Sequence, residues 1–303
     1  MTESRKVGNR TIEVSNLDKV LFPKDGFTKR DVIDYYDAIA SRMVPEVKDR
    51  LMTVERYADG IDYRGIFQKS IPKYVPGWID RFAVPKEGGE VTHIVCNDRP
   101  TLVYLANQAF LTQHVGLARI DRIDRPDQLM FDFDPSTDDF GVVRSAALRA
   151  RELLSDLGFH PFVKTTGSRG LHVMAPLSRR DRFEDVRAFA FDIASFMAAE
   201  EPNRLTVEVR KAKRQDRLFV DFMRNAYAQT AVAAYSVRAR DGAPVSMPLE
   251  WDEVSDRRLT ARRYTIRNAP EVAADRDPWA GWRRHGRSLK PARERFEKKY
   301  PSR

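Results

Sequence analysis

Asp132 and Asp134 are the residues of this chain whose type and spacing most invite chemistry. They lie in Phe131-Asp132-Phe133-Asp134-Pro135-Ser136, where Leu129, Phe131 and Phe133 alternate with Met130, Asp132 and Asp134. That alternation predicts a strand with one apolar face. On a strand, residues i and i+2 point the same way, about 7 Å apart at Cα. Both carboxylates can then converge on one point, at a strand end closed by Pro135. Two carboxylates so placed suit a pair of hard divalent cations, the arrangement used in phosphoryl and nucleotidyl transfer. The same spacing also describes an ordinary solvated strand end, so the pair needs company.

Candidate company follows. Asp221 sits in Phe219-Val220-Asp221-Phe222, an acid among large apolar residues. A charge there is costly unless it is paired or binds a cation. If its strand neighbours the first, Asp221 is a third carboxylate; the other reading is an ion pair with Arg217 or Arg224. Gly167-Ser168-Arg169-Gly170-Leu171-His172 is a second constellation. Its glycines let backbone N–H groups approach a phosphate, and Ser168, Arg169 and His172 can donate to phosphate oxygens. It lacks the Gly-Lys-Ser/Thr ending of a Walker A loop, and it also reads as a plain hairpin. His114 can reach the same site, or simply end a helix.

The elements that must position these residues are legible in outline. Thr28 with Asp31 three residues on predicts a capped helix start, and Val32, Tyr36, Ile39 and Met43 repeat at helical spacing. Leu17 to Pro23 reads as a short strand or turn, Ile66 to Trp78 as loop, and Thr101 to His114 as helix. After the aspartate strand, Val143 to Leu157 reads as a helix stopped by Gly158. Strands at Pro161–Thr165 and Leu171–Ala175 follow, then a helix through Val186, Phe189, Ile193 and Phe196, then strands at Thr206–Arg210 and Leu218–Phe222. The order strand, helix, strand, strand, helix, strand, strand predicts an α/β sandwich close to the split βαβ arrangement. The basic tail from Arg276, with Trp279 and Trp282, reads as a closing helix or extension.

Composition bounds the class. The chain has 303 residues, 42% of them hydrophobic and 10% aromatic, enough for a proper core. Its 53 Lys and Arg exceed 44 Asp and Glu by nine, which favours a polyanionic partner. Cys96 is the only cysteine, which excludes an intrachain disulfide and a thiolate zinc site. Met1 to Arg10 is polar, and no stretch of about 18 apolar residues occurs, so a cytoplasmic protein without a membrane partner is expected.

Taken together, Asp132-Phe133-Asp134, Ser168-Arg169-Gly170-Leu171-His172 and Asp221 on a later strand resemble the archaeo-eukaryotic primase-polymerase superfamily. More closely, the chain resembles the polymerase domain of the bacterial multifunctional end-joining DNA ligase. Asp18 to Pro23, Thr28-Lys29, Phe67-Gln68-Lys69, His114, Tyr235 to Arg240 and Pro248-Leu249-Glu250-Trp251 add to the pattern, which covers nearly the whole chain. The resemblance implies an α/β (α+β) fold: a primase-polymerase core with an RRM-like mixed sheet and an N-terminal α/β module. One polymerase domain is expected over 1–303, with a DNA-contacting module over about 1–120, a catalytic module over about 121–275 and a basic extension over about 276–303.

For the site, the resemblance implies that Asp132, Asp134 and Asp221 hold two divalent ions, manganese favoured and magnesium the alternative. Ser168, Arg169 and His172 grip the triphosphate of a nucleoside triphosphate, with His114, Arg224 and Arg238 around the nucleotide. Lys19 and Lys29 bind the 5′-phosphate of a downstream strand, and Phe67 stacks on the template. The family places two adjacent aromatics there, whereas Ile66 precedes Phe67 here, so stacking is expected to be weaker or differently placed.

The implied function is a template-dependent, ribonucleotide-preferring polymerase of end joining or short-gap filling. The expected partners are gapped or broken double-stranded DNA with a 5′-phosphate, a Ku-like end-binding protein and a separate ligase. A monomer associated with the nucleoid is expected. No lysine nucleotidyltransferase motif with room for its domain is present, so the chain reads as a stand-alone polymerase or a fragment excised from a larger protein, the stand-alone reading being favoured. A two-metal nuclease would have no need of the triphosphate grip. A silent end-bridging module would keep an acidic cluster that repels DNA.

Overall fold

Thr28 does open a helix in the computed structural model, which describes residues 2–300. Its side chain accepts from the Asp31 N–H, while the Asp31 carboxylate accepts from the Thr28 N–H at 2.6 Å, a capping box. The chain folds as two compact units that interleave in sequence. One comprises the chain up to Gly116 with Thr230–Met247 and Arg262–Arg276; the other comprises Leu117–Gln229, Pro248–Ala261 and the chain from Asp277 on. Residues 230–247 and 262–276, placed by the sequence reading in the second module, pack with the first unit.

The first unit begins with two hairpins, β1 (Thr2–Val7) with β2 (Arg10–Ser15) and β3 (Val20–Phe22) with β4 (Phe27–Thr28). Helix α1 (Lys29–Val47) buries Val32, Tyr36, Ile39 and Met43, the residues whose spacing predicted it. The main sheet holds β5 (Met52–Arg56), β6 (Ile66–Gln68), β7 (Arg81–Lys86), β8 (Gly89–Ile94), then, beyond α2 (Arg99–Asn107), β9 (Phe110–Gly116). Its order is Thr230–Val232, β9, β5, β8, β7, with β6 added to β5.

Two expectations change here. The helix predicted to reach His114 ends at Asn107; Ala109 takes φ 57°, and His114 lies on β9. Strand β9 is paired on both edges and largely buried, its polar Thr112 and Gln113 included, so its side chains show no apolar–polar alternation to mark it as a strand. Ile66–Gln68, read as loop, is a short strand.

The second unit is the predicted split βαβ arrangement. Strand β10 (Gln128–Asp134), helix α3 (Phe140–Asp156), strands β11 (Phe162–Thr165) and β12 (Leu171–Pro176), helix α4 (Phe183–Glu200), and strands β13 (Leu205–Thr206) and β14 (Leu218–Asp221) follow in order. The sheet order is β13, β14, β10, β12, β11, then Pro248–Leu249. Strand β12 therefore slots antiparallel between β10 and β11. Leu129, Phe131 and Phe133 are wholly buried on the face that α3 and α4 cover, leaving the aspartate face clear of them.

Gly158, at φ 89°, follows the end of α3 as predicted. The strand predicted over Thr206–Arg210 stops at Thr206, because Thr206 Oγ1 accepts from the Glu208 N–H and Glu208 from the Arg210 N–H. Such local side-chain bonds compete with a ladder. The tail is integral to this unit: Trp279 donates to the Val163 carbonyl at 3.1 Å, and Phe296 of helix Leu289–Lys299 meets Phe189. Cys96 is buried. Among the described residues, no helix is long and apolar enough to cross a membrane.

Asn225 holds β10 where β14 ends. Its carboxamide accepts from the Met130 N–H at 2.9 Å and donates to the Met130 and Phe222 carbonyls at 2.7 and 2.8 Å, in full burial. Asn225→Ala orphans all three groups and is expected to cost about 2–3 kcal/mol in urea unfolding. A loss under about 0.5 kcal/mol would show that the clamp is dispensable.

Candidate active site

Register assembles the acids. Asp132 stands directly opposite Asp221 on β14 and directly opposite His172 on β12, while Asp134 lies two residues along the same face. Directly opposed residues have Cβ atoms about 4.5–5.5 Å apart. Asp132 and Asp221 have side chains only 14% exposed, whereas Asp134 is half-exposed. Gly170 lets the turn close on this end of β10, since a Cβ there would lie 2.0 Å from the Phe133 carbonyl oxygen.

Cations stand over the acids. The Arg224 Nε is 3.7 Å from Asp132 and 3.5 Å from Asp221, and Arg169 reaches Asp134 at 3.3 Å. The sequence left Asp221 as either a cluster member or an ion-pair partner; it is both. Arg217 instead donates to backbone carbonyls.

The electrostatics are those of crowded like charge. Burial and the Asp132 charge push the Asp134 and Asp221 carboxyls up. Burial alone would also raise Asp132, but His172, Arg224 and Lys164 draw it down to about 2. His172, 2% exposed, is lowered to about 4 by burial and by Lys164 against the pull of Asp132, so it is a neutral imidazole at pH 7. Asp132 Oδ1 and His172 Nδ1 are buried without a hydrogen-bond partner, and Asp132 Oδ1 lies 3.4 Å from His172 Nε2.

These groups fit hard divalent cations: an all-oxygen acidic set, a buried orphan oxygen, and two acids whose charge is disfavoured as they stand. No three acidic, His or Cys side chains converge on one ion position among the described residues. Arg224 sits against Asp132 and Asp221, and Arg169 against Asp134.

Between β11 and β12 the turn is knotted by Thr166, a residue the sequence reading passed over. Its Oγ1 accepts from the N–H groups of Ser168 and Gly170, and Gly167 takes φ 64°. Ser168 and Arg169 are thereby presented at the carboxylate end of the sheet.

The remaining candidates lie in the first unit. His114 bonds through Nε2 to Glu55 at 2.7 Å, and the Phe67 ring meets the His114 ring edge-on at 5.8 Å. Arg238 contributes positive charge at Glu55. Nothing in the sequence around Glu55 singles it out. Lys19 and Lys29 stand at the two ends of the β3–β4 hairpin, the Lys29 N–H bonded to the Lys19 carbonyl. Lys29 is buried with Nζ donating to the Ser15 carbonyl, and burial with the Lys19 and Arg56 charges lowers it to about 8. Lys19 pairs with Asp59 at 2.7 Å. Three cations thus repel one another here, with Asp59 the acid paired to Lys19.

A split βαβ sheet carrying acids on two central strands, with arginines and a phosphate-type turn beside them, is the core of a polymerase-class nucleotidyltransferase. The chain belongs to the LigD primase-polymerase domain family, whose model matches residues 28–279. It is 32% identical over 259 residues to the multifunctional non-homologous end joining protein LigD of Mycolicibacterium smegmatis, covering 84% of this chain and 34% of that protein. It is 34% identical over 257 residues to the bifunctional LigD of Bacillus subtilis, covering 84% and 41%. The chain thus spans about a third to two fifths of the length of these curated relatives. The polymerase domain from Mycobacterium tuberculosis Ligase D, solved in complex with DNA, matches with a TM-score of 0.85 at 29% identity, over 91% of this chain and 99% of that one.

Because the charge of Asp134 is disfavoured beside Asp132, Asp134→Asn is expected to leave the metal-free protein as stable as the wild type or slightly more so. Mn²⁺ is expected to raise the thermal midpoint of the wild type and to leave that of Asp134→Asn unmoved. A Mn²⁺-dependent rise retained in Asp134→Asn would remove Asp134 from the ligand set.

Proposed function

We propose that this chain extends a primer strand by templated nucleotide addition at gaps or broken DNA ends, in end joining or short-gap repair. The observation that carries this reading is the Asp132, Asp134 and Asp221 cluster on neighbouring central strands with Arg169, Arg224 and His172 against it. Asp132, Asp134 and Asp221 would hold two divalent ions, manganese favoured over magnesium. When bound, such ions lower the pKa of a primer 3′-hydroxyl and neutralise departing pyrophosphate.

The protein's own groups do the positioning. Arg169 and Arg224 would offer their guanidinium forks to the triphosphate, a match for phosphate geometry, with the carboxylates left to hold the metals. Ser168 donates from its turn, and neutral His172 holds the Asp132 side of the site without adding charge. In the first unit, His114 and Arg238 serve the nucleotide, Phe67 stacks on the template base, and Lys19 with Lys29 takes a downstream 5′-phosphate. A phosphate dianion at Lys19 and Lys29 relieves the mutual repulsion there, just as metals relieve the acids. In-line attack then needs orientation and charge stabilisation, with no covalent enzyme intermediate.

Ribonucleotides are the favoured substrates in this reading, and the protein acts as a monomer at the nucleoid, with a Ku-like end-binding protein and a separate ligase as partners. The end-joining names and the DNA complex of its relatives support the assignment to DNA repair.

Single-nucleotide addition to a gapped DNA bearing a 5′-phosphate tests this directly. With Mn²⁺, templated addition is expected, faster for ribonucleotides than deoxynucleotides, and lowered more than about a hundredfold in Asp132→Ala, beyond the cost of losing an outer-shell partner. Primer shortening would instead identify a nuclease, and DNA binding without extension a silent bridging module. Lys19→Ala should erase the preference for a 5′-phosphate over a 5′-hydroxyl at the gap while leaving extension of an open primer–template within about twofold of wild type. An undiminished preference would place the 5′-phosphate elsewhere.

A further inference from the structure

Glu55 is a carboxylate that neither the metals nor the DNA contacts use. It lies on β5 with Phe67 of β6 opposite on one side and Thr112 of β9 on the other. Its side chain is 21% exposed, close to the 14% of His114. One oxygen meets His114 Nε2 at 2.7 Å, and the other accepts from the Tyr57 hydroxyl at 3.0 Å. The Phe67 ring edge confines the same imidazole from a second direction. Burial would raise the Glu55 carboxyl, but His114 and Arg238 hold it below the usual range, so it is a carboxylate at neutral pH.

A half-buried acid in that position does two things to the ring. It commits Nε2 as the donor nitrogen, since a carboxylate only accepts. It also fixes the ring plane, because Tyr57 tethers the other carboxylate oxygen and so removes the freedom of the acid itself. Second-partner carboxylates on histidines set ring orientation in this way in metal sites, where their loss costs about 10–100-fold. The same logic applies to a histidine that must meet a nucleotide.

We propose that Glu55 is a positioning residue for nucleotide binding: its carboxylate, tethered by Tyr57, fixes the His114 ring through Nε2 so that the imidazole meets the nucleotide in one orientation. This inference rests on the assignment of His114 to the nucleotide made above. It makes Glu55, His114 and Phe67 one device, built across β5, β9 and β6, rather than two independent contacts.

A double-mutant cycle on the full chain separates this role from a merely structural ion pair. The readouts are KM for the nucleoside triphosphate and kcat in the gapped-DNA assay, with the thermal midpoint of each variant. Glu55→Gln preserves shape and is expected to raise KM about tenfold, the scale of one charge-assisted hydrogen bond, with kcat within about threefold. His114→Ala should raise KM at least as much. The double variant should be no worse than His114→Ala, because Glu55 acts through that ring.

Multiplying effects in the double variant, or an unchanged KM in Glu55→Gln, would overturn the proposal. So would a fall in thermal midpoint of more than about 10 °C carried equally into both backgrounds, since that marks a structural carboxylate. If His114→Ala alone leaves KM unmoved, the nucleotide role of His114 fails, and the Glu55 inference falls with it. That failure is read separately from templated extension, which the aspartates carry.

Discussion

Asp132 occupies the middle of a sheet with an acid on one neighbouring strand and an imidazole on the other, and much of the second unit answers to that placement. Two carboxylates about 5 Å apart in a partly desolvated site repel by on the order of 3 kcal/mol. The fold cannot move them apart, because they belong to a ladder whose register a one-residue slip would invert. Arg224 bridges Asp132 and Asp221, Arg169 covers Asp134, and Lys164 lends charge from β11. Each of these cations offsets part of the repulsion, and in the proposed function Arg224 and Arg169 give way to metals.

The surrounding structure secures the register rather than the charges. Asn225 continues the β10 ladder with its side chain once β14 has ended, and Gly170 allows the turn to lie directly on the Phe133 carbonyl. Burial of Phe131 and Phe133 under two helices holds the acid face outward with the full weight of the core. The first unit shows the inverse arrangement at Lys19, Lys29 and Arg56, where like positive charges are kept close by a hairpin and an adjacent helix start. In both, groups of like charge are held close and are only partly offset by the ion pairs beside them.

The second unit was legible because its signals are local. The alternation through Asp132 and Asp134, the stop at Gly158 and the run of strands and helices are each signalled within a few residues. Thr28 and Asp31 announced their helix for the same reason. What escaped is non-local. Strand β9 buries polar Thr112 and Gln113 together with Phe110 and Leu111, so it shows no alternation; the return of residues 230–247 to the first unit depends on pairing with Val115 and its neighbours, more than a hundred positions away. Glu55 meets His114 59 residues on, and Thr166 acts through a turn geometry that its identity alone does not reveal. The Asp132–Asp221 pairing was conditional on two strands being neighbours, which register settles and spacing cannot.

The central claim is that the carboxylates are held together for metals that displace the arginines. Anomalous diffraction from crystals soaked in Mn²⁺ with a non-hydrolysable nucleoside triphosphate reads it out. The account predicts manganese peaks within coordination distance of Asp132, Asp134 and Asp221, about 2.0–2.3 Å for such oxygen ligands, with Arg224 and Arg169 moved onto the triphosphate. Manganese bound elsewhere, with Arg224 still spanning Asp132 and Asp221, would contradict it.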